Sequence, residues 1–136
     1  MKLLNTKLSD NRASLGLLLL RVATGSAMLI NHGLKKISGF NTILEKGFAD
    51  PFHIGAKASL SLTVFAEVFC AILIILGLTT RLASIPLIIA MFVALFIAHG
   101  GEIFGQGELA AIYLSIFFML LLAGPGKYSV DKLISK

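Results

Sequence analysis

Residues 17–33 read LLLLRVATGSAMLINHG. The run is apolar enough to enter a bilayer, yet Arg21 lies near its start and His32 near its end. An arginine at mid-membrane costs about 2.5–3.5 kcal/mol on insertion scales. The stretch therefore demands a partner for Arg21, and the rest of the chain is read for one.

The surrounding composition favours a membrane. Of 136 residues, 57% are hydrophobic and only 14% charged, too few to cover the surface of a small water-soluble domain. One domain spanning residues 1–136 is expected from length. The net charge of +5 does not indicate nucleic acid, because the twelve Lys and Arg residues are scattered between apolar runs and form no basic stripe. They read as topology determinants. The single cysteine, Cys70, permits neither an internal disulfide nor a thiol relay and reads as a small helical residue. The N-terminus resembles a signal peptide, but Arg21 interrupts its apolar core and the pattern runs on to Ile30, so it reads as an uncleaved first helix.

Four apolar segments stand out, at about residues 14–34, 58–78, 82–99 and 107–123. Each is near the length that crosses the hydrocarbon core, where only helices satisfy their own backbone. The expected fold is all-α, an integral membrane four-helix bundle. Residues 35–57 carry Phe40, Ile43, Leu44 and Phe48 and suggest a short interfacial helix between helices 1 and 2, ended by DPFHIG. Gly77 reads as a helix C-terminal cap and Pro86 as a first-turn residue of the next helix. With both termini inside, seven Lys/Arg (residues 2, 7, 12, 81, 127, 132, 136) face the cytoplasm and four (35, 36, 46, 57) face out, which favours N-in/C-in.

That orientation converts positions into depths. Arg21 and Glu67 should lie about 6 Å apart in depth at about 1.5 Å rise per residue, so a buried ion pair is expected between them. Such a pair either fixes helix packing or floors a pocket. His32, His99 and Glu108 should gather at the outer end with Lys35 nearby. Arg21, Gly25, Met28 and His32 share one helical stripe, as do Glu108, Ser115 and Met119. Two histidines and a carboxylate suit a first-row metal or proton transfer at a bound ligand, or else snorkel at the interface. No local ligand motif of the HExxH kind accompanies them, so no metal site is expected. His53 is expected to face solvent. Ala83, Ala90, Ala94 and Ala98 form a small-residue seam, inside the bundle or between protomers of a homo-oligomer.

Taken together, LRVATGSAMLINHGLKK (20–36), AEVFCAILIILGLTTRLAS (66–84), HGGEIF (99–104) and LLLAGPGKYSVDKL (120–133) resemble the DoxX family of small bacterial membrane proteins. The resemblance implies a four-helix protein of the bacterial cytoplasmic (inner) membrane. It also implies Arg21, His32, Gly33, Lys35, Glu67, Gly77, Arg81, His99, Gly124–Pro125–Gly126 and Asp131 as family features. The family is associated with a thiosulfate:quinone oxidoreductase subunit and with oxidative-stress systems. It also has a looser kinship with membrane assembly chaperones. Three roles are expected on this basis. One is an accessory subunit that binds a lipophilic ligand such as a quinone and draws electrons from a redox partner. Another is a non-enzymatic scaffold or assembly factor, and the third is a small transporter. Lack of paired cysteines departs from membrane thiol oxidoreductases and argues against a thiol relay.

Overall fold

The computed structural model describes residues 4–135. Among them the protein is all-helical. The helices are α1 (Asp10–Ser38), α2 (Phe40–Lys46), α3 (Ala56–Leu76), α4 (Thr80–Ala98), α5 (Glu108–Ala123) and α6 (Val130–Ile134). Helices α1, α3 and α4 are long and apolar enough to cross a membrane, and α5 is a shorter apolar helix of 16 residues. α1 starts four residues earlier than its apolar run because the Ser9 hydroxyl accepts the Arg12 N–H and caps it. α2 is the short helix anticipated between the first two long ones, with Phe40, Ile43 and Leu44 half-buried.

Each of α1, α3 and α4 contains a π-helical turn, at Leu29–Gly33, Phe65–Cys70 and Ala94–Ala98. A π-turn fits one extra residue into the helix and rotates the turns after it, a device found often at functional sites. The turns of α1 and α3 pack against each other. Around the bundle α1 also packs on α5, and α4 on both α3 and α5. Met28, Ala71, Ile74, Leu87, Phe117 and Leu120 are fully buried between them.

The exterior is apolar as well. Leu19, Leu62, Phe69, Leu82, Phe92 and Leu122 are all exposed. Water would not tolerate so continuous a surface, whereas acyl chains do. Two glycines let α1 approach α3. A Cβ on Gly25 would lie 2.6 Å from Ile75 Cγ1, and one on Gly33 would lie 2.6 Å from the Glu67 carbonyl oxygen.

α3 ends in a Schellman arrangement. Gly77 adopts φ +70°, its N–H bonds to Ile74 O, and the Leu78 N–H reaches back to Leu73 O. Pro86 lies inside α4, seven residues in, not in the first turn, because α4 already begins at Thr80. The loop before α3 is held by Asp50, whose carboxylate accepts from Ile54 N, Gly55 N and Ser59 Oγ. Desolvation pushes the Asp50 carboxyl up, but these hydrogen bonds outweigh it and hold the group below the usual carboxylate range. His53 in this loop is exposed, with φ 54°.

Candidate functional site

The deep arginine finds a different partner from the one expected. Arg21 is 1% exposed, and its guanidinium donates to backbone carbonyls: Nε to Ile74 O at 3.0 Å, Nη2 to Tyr128 O at 3.0 Å and to Ile75 O at 3.5 Å, and Nη1 to Pro125 O. The carbonyls of residues 74 and 75 belong to the last turn of α3, where helical acceptors are left over and the dipole is negative. A planar fork of donors suits such a set better than a point charge would. The segment 124–131 folds back to supply the other acceptors. Its Lys127 N–H bonds to Ser14 Oγ, and Asp131 accepts from Thr79 N and Thr80 N, capping α4. Gly77 is confined here too, since a Cβ would lie 2.9 Å from Arg21 Cζ.

The expected Arg21–Glu67 ion pair is therefore not formed. Arg21 is level with Ile74, about 10 Å further along α3 than Glu67 at ~1.5 Å per residue. Depth counted from helix ends misplaced the pair because the ends are not flush: Gly33, not Arg21, lies against Glu67, and Arg21 lies beside the last turn of α3.

Glu67 instead pairs with Lys36, Nζ to Oε2 at 2.7 Å. The Glu67 side chain is 3% exposed and that of Lys36 21%. The two π-turns build this contact: Gly33 sits directly on the Glu67 backbone, and Lys36 comes one turn later to lie over the carboxylate. His32, on the same turn, packs edge-on against the ring of Tyr113, centroids 5.6 Å apart. Tyr113 in turn stacks on Phe117. The Lys36–Glu67 and His32–Tyr113 contacts thus lie on either side of Gly33, toward the end of α1 away from the chain termini.

The other anticipated members are placed differently. His99 is half-buried at the C-terminus of α4, its N–H bonded to Ala94 O. Glu108 is exposed at the start of α5, and Lys35 is exposed beside Lys36. Among the described residues no three His, Cys, Asp or Glu are grouped to share a metal ion, so His32, His99 and Glu108 are not brought together in that way. The stripe Glu108, Ser115 and Met119 faces outward, while Ala110, Tyr113, Phe117 and Leu120 face in. α5 is apolar on all sides, so residue type alone did not fix its rotation. Lys36 had a usable signal: it continues the Arg21–Gly25–Met28–His32 stripe by four more residues. Tyr113 had one as well, as the only hydroxyl-bearing side chain on the 110–113–117–120 face.

The model of the DoxX family matches residues 16–100, more than half of the chain. The chain belongs to the DoxX family. The match takes in Arg21, His32, Lys36 and Glu67 and leaves Tyr113 and the 124–131 segment outside it. An uncharacterized protein of Haemophilus influenzae is 32% identical over 111 residues, covering 76% of this chain and 74% of its own. An uncharacterized membrane protein of Mycobacterium tuberculosis is 34% identical over 84 residues, 52% of each chain. The chain thus spans about half the length of that mycobacterial relative. No solved structure matches. This DoxX protein is a multi-pass membrane protein in contact with the lipid bilayer.

Proposed function

We propose that this DoxX-family chain is a single-domain accessory subunit of a bacterial inner-membrane redox system. In this reading four helices cross the membrane with both termini in the cytoplasm, and a quinone-class lipophile binds beside the Lys36–Glu67 pair. One observation carries the reading: an ion pair of 2.7 Å, with Glu67 almost fully buried on the π-turn of α3 and Lys36 just past the π-turn of α1. A buried pair contributes little net stability compared with apolar side chains of the same volume, so its use inside a membrane points to a role for the charges. His32 and Tyr113 add two more groups able to hold a proton at the same place. A quinone accepts electrons and protons together, and the electrons would come from a partner subunit. Lys36 and His32 would orient the ligand oxygens and donate hydrogen bonds to them. Glu67 would hold Lys36 in place and take up or release the proton that balances the charge.

Titration of the purified protein in mild detergent with a short-chain ubiquinone tests this, read by quenching of tyrosine emission. Saturable quenching that weakens about tenfold in Glu67→Gln and His32→Ala is expected, with far-UV circular dichroism unchanged. Quenching that does not saturate, or that ignores both substitutions, refutes the reading.

A scaffold role is the second reading, and the α4–α5 loop favours it. Phe104 projects wholly exposed from that loop beside the half-exposed Ile103, an apolar tip beyond the helix ends. If the tip recognises a partner, Phe104→Asp should release a protein that copurifies with the wild type and leave ubiquinone quenching intact.

A further inference from the structure

A second feature lies on the opposite face of α3. Phe65 and Glu67 are two residues apart on one helix, so they point to opposite sides. Glu67 faces α1, whereas Phe65 lines a cavity of about 300 Å³ between the α2–α3 loop, α3 and α4. Phe48 and Phe52 roof it from the loop, and Pro86 and Ala90 form its floor on α4. The two hydroxyls in its wall have no proton left to donate to an occupant. Ser59 Oγ donates to Asp50, and Thr63 Oγ1 donates to Ser59 O. The rest of the lining is Phe, Ala, Pro, Leu, Ile and Val, which suits a hydrocarbon occupant. The volume sits at the bottom of the range for ligand pockets, about 300–1,000 Å³, which suits one chain and excludes a whole lipid.

The roof is built, not draped. Asp50 ties the loop to the start of α3 with three hydrogen bonds, and Gly47 and Gly55 at its two ends take φ of +95° and +101°. The mouth opens on the apolar exterior, where Phe52 is 63% exposed. The segment around it is basic: residues 35–57 carry four lysines against Glu45 and Asp50. Lys46 and Lys57, which flank the loop, are both exposed, while Asp50 is already engaged.

We infer that this groove holds one acyl chain of an anionic phospholipid, its headgroup held by the lysines flanking the loop, in the leaflet away from the chain termini. Hydrophobic walls seat the chain, and the cations select the headgroup, each lysine near an anionic surface adding a modest attraction. The site is separate from the Lys36–Glu67 cluster and does not depend on what that cluster binds.

The full chain reconstituted in phosphatidylglycerol nanodiscs, doped with phosphatidylglycerol bearing a diazirine in one acyl chain, provides the test. After illumination, peptide mass spectrometry locates the label. At least fivefold enrichment on residues 48–52, 62–65 and 86–93 over the lipid-facing Phe118 and Leu122 is expected. Ala90→Phe, which fills the floor, should lower groove labelling at least fivefold and leave Leu122 unchanged. Ala49→Phe fills the roof and serves if the first variant does not fold. The same probe with a phosphocholine headgroup should label the groove several-fold less. Labelling that merely tracks exposure around the bundle, or that survives the groove-filling variant, overturns the site. Equal labelling by the two headgroups overturns its preference for an anionic lipid.

Discussion

Replacing Arg21 with methionine keeps an unbranched apolar stem and removes every donor of the guanidinium. The Ile74 carbonyl keeps the Gly77 N–H, so it is not left bare. The carbonyls of Pro125 and Tyr128 have no other described partner, and that of Ile75 loses a long bond of 3.5 Å. A buried acceptor left unmet costs about 1–3 kcal/mol, so the loss should be about 3–5 kcal/mol in all. Cys70 is 2% exposed and is the chain's only thiol, which makes a thiol-reactive fluorogenic dye a direct reporter of unfolding in detergent. At roughly 3–6 °C per kcal/mol for a chain of this size, Arg21→Met should lower the midpoint by about 10–30 °C. Partner identity is then decided by double-mutant cycles. Arg21→Met and Glu67→Gln should add within about 0.5 kcal/mol, since they share no contact. Lys36→Met alone should cost about 3–5 kcal/mol by stranding Glu67, and Lys36→Met with Glu67→Leu should recover most of it. An Arg21→Met midpoint within about 3 °C of wild type, or strong coupling of Arg21 to Glu67, would refute the assignment.

Gly33→Ala should destabilise strongly, because its Cβ would meet Glu67 O at 2.6 Å and Val68 Cγ2 at 2.7 Å, whereas Gly16→Ala, with nothing within 4 Å, should be neutral or raise the same midpoint slightly. Asp131→Ala should cost about 0.5–2 kcal/mol through lost capping of Thr79 and Thr80, and Asp131→Asn, which keeps an acceptor, should recover part of that. The lowered pKa of Asp50 means that its anchoring of the loop is fully present above its unfolded value near about 3.9 and is lost as pH falls through the lower folded value. Protease cleavage between residues 47 and 55 should therefore rise on acidification below about pH 4 and, in Asp50→Asn, should be raised already at neutral pH.

Much of the architecture was legible because a bilayer leaves few choices. Apolar runs of the right length, Gly77 after one of them and the aromatic pattern at residues 40–44 were enough for the long helices and for α2. Depth was not legible, because it depends on how far one helix is shifted along its neighbour. Gly33 lies against Glu67 and Arg21 against Ile74, a register that hydropathy does not encode. Charge was read as seeking opposite charge, and for Glu67 that logic was sound with Lys36 in place of Arg21. For Arg21 it failed, because backbone carbonyls at a helix end have no letter in the sequence. The π-turns were equally silent: no residue type marks them, yet they carry Gly33, His32 and Glu67 to one place. Rotation of α5 escaped because its outward and inward faces are both apolar, and only Tyr113 broke the tie.

The clasp around Arg21 also imposes an order on biosynthesis. Arg21 is made 104 residues before Pro125, so the guanidinium is inserted long before two of its acceptors leave the ribosome. Until residues 125–128 arrive, the first helix holds a cation that the bundle meets only with the end of α3. Residues 125–128 then supply the missing carbonyls and tie the segment after α5 back onto α1 and α3, so the clasp closes only once α5 has been made.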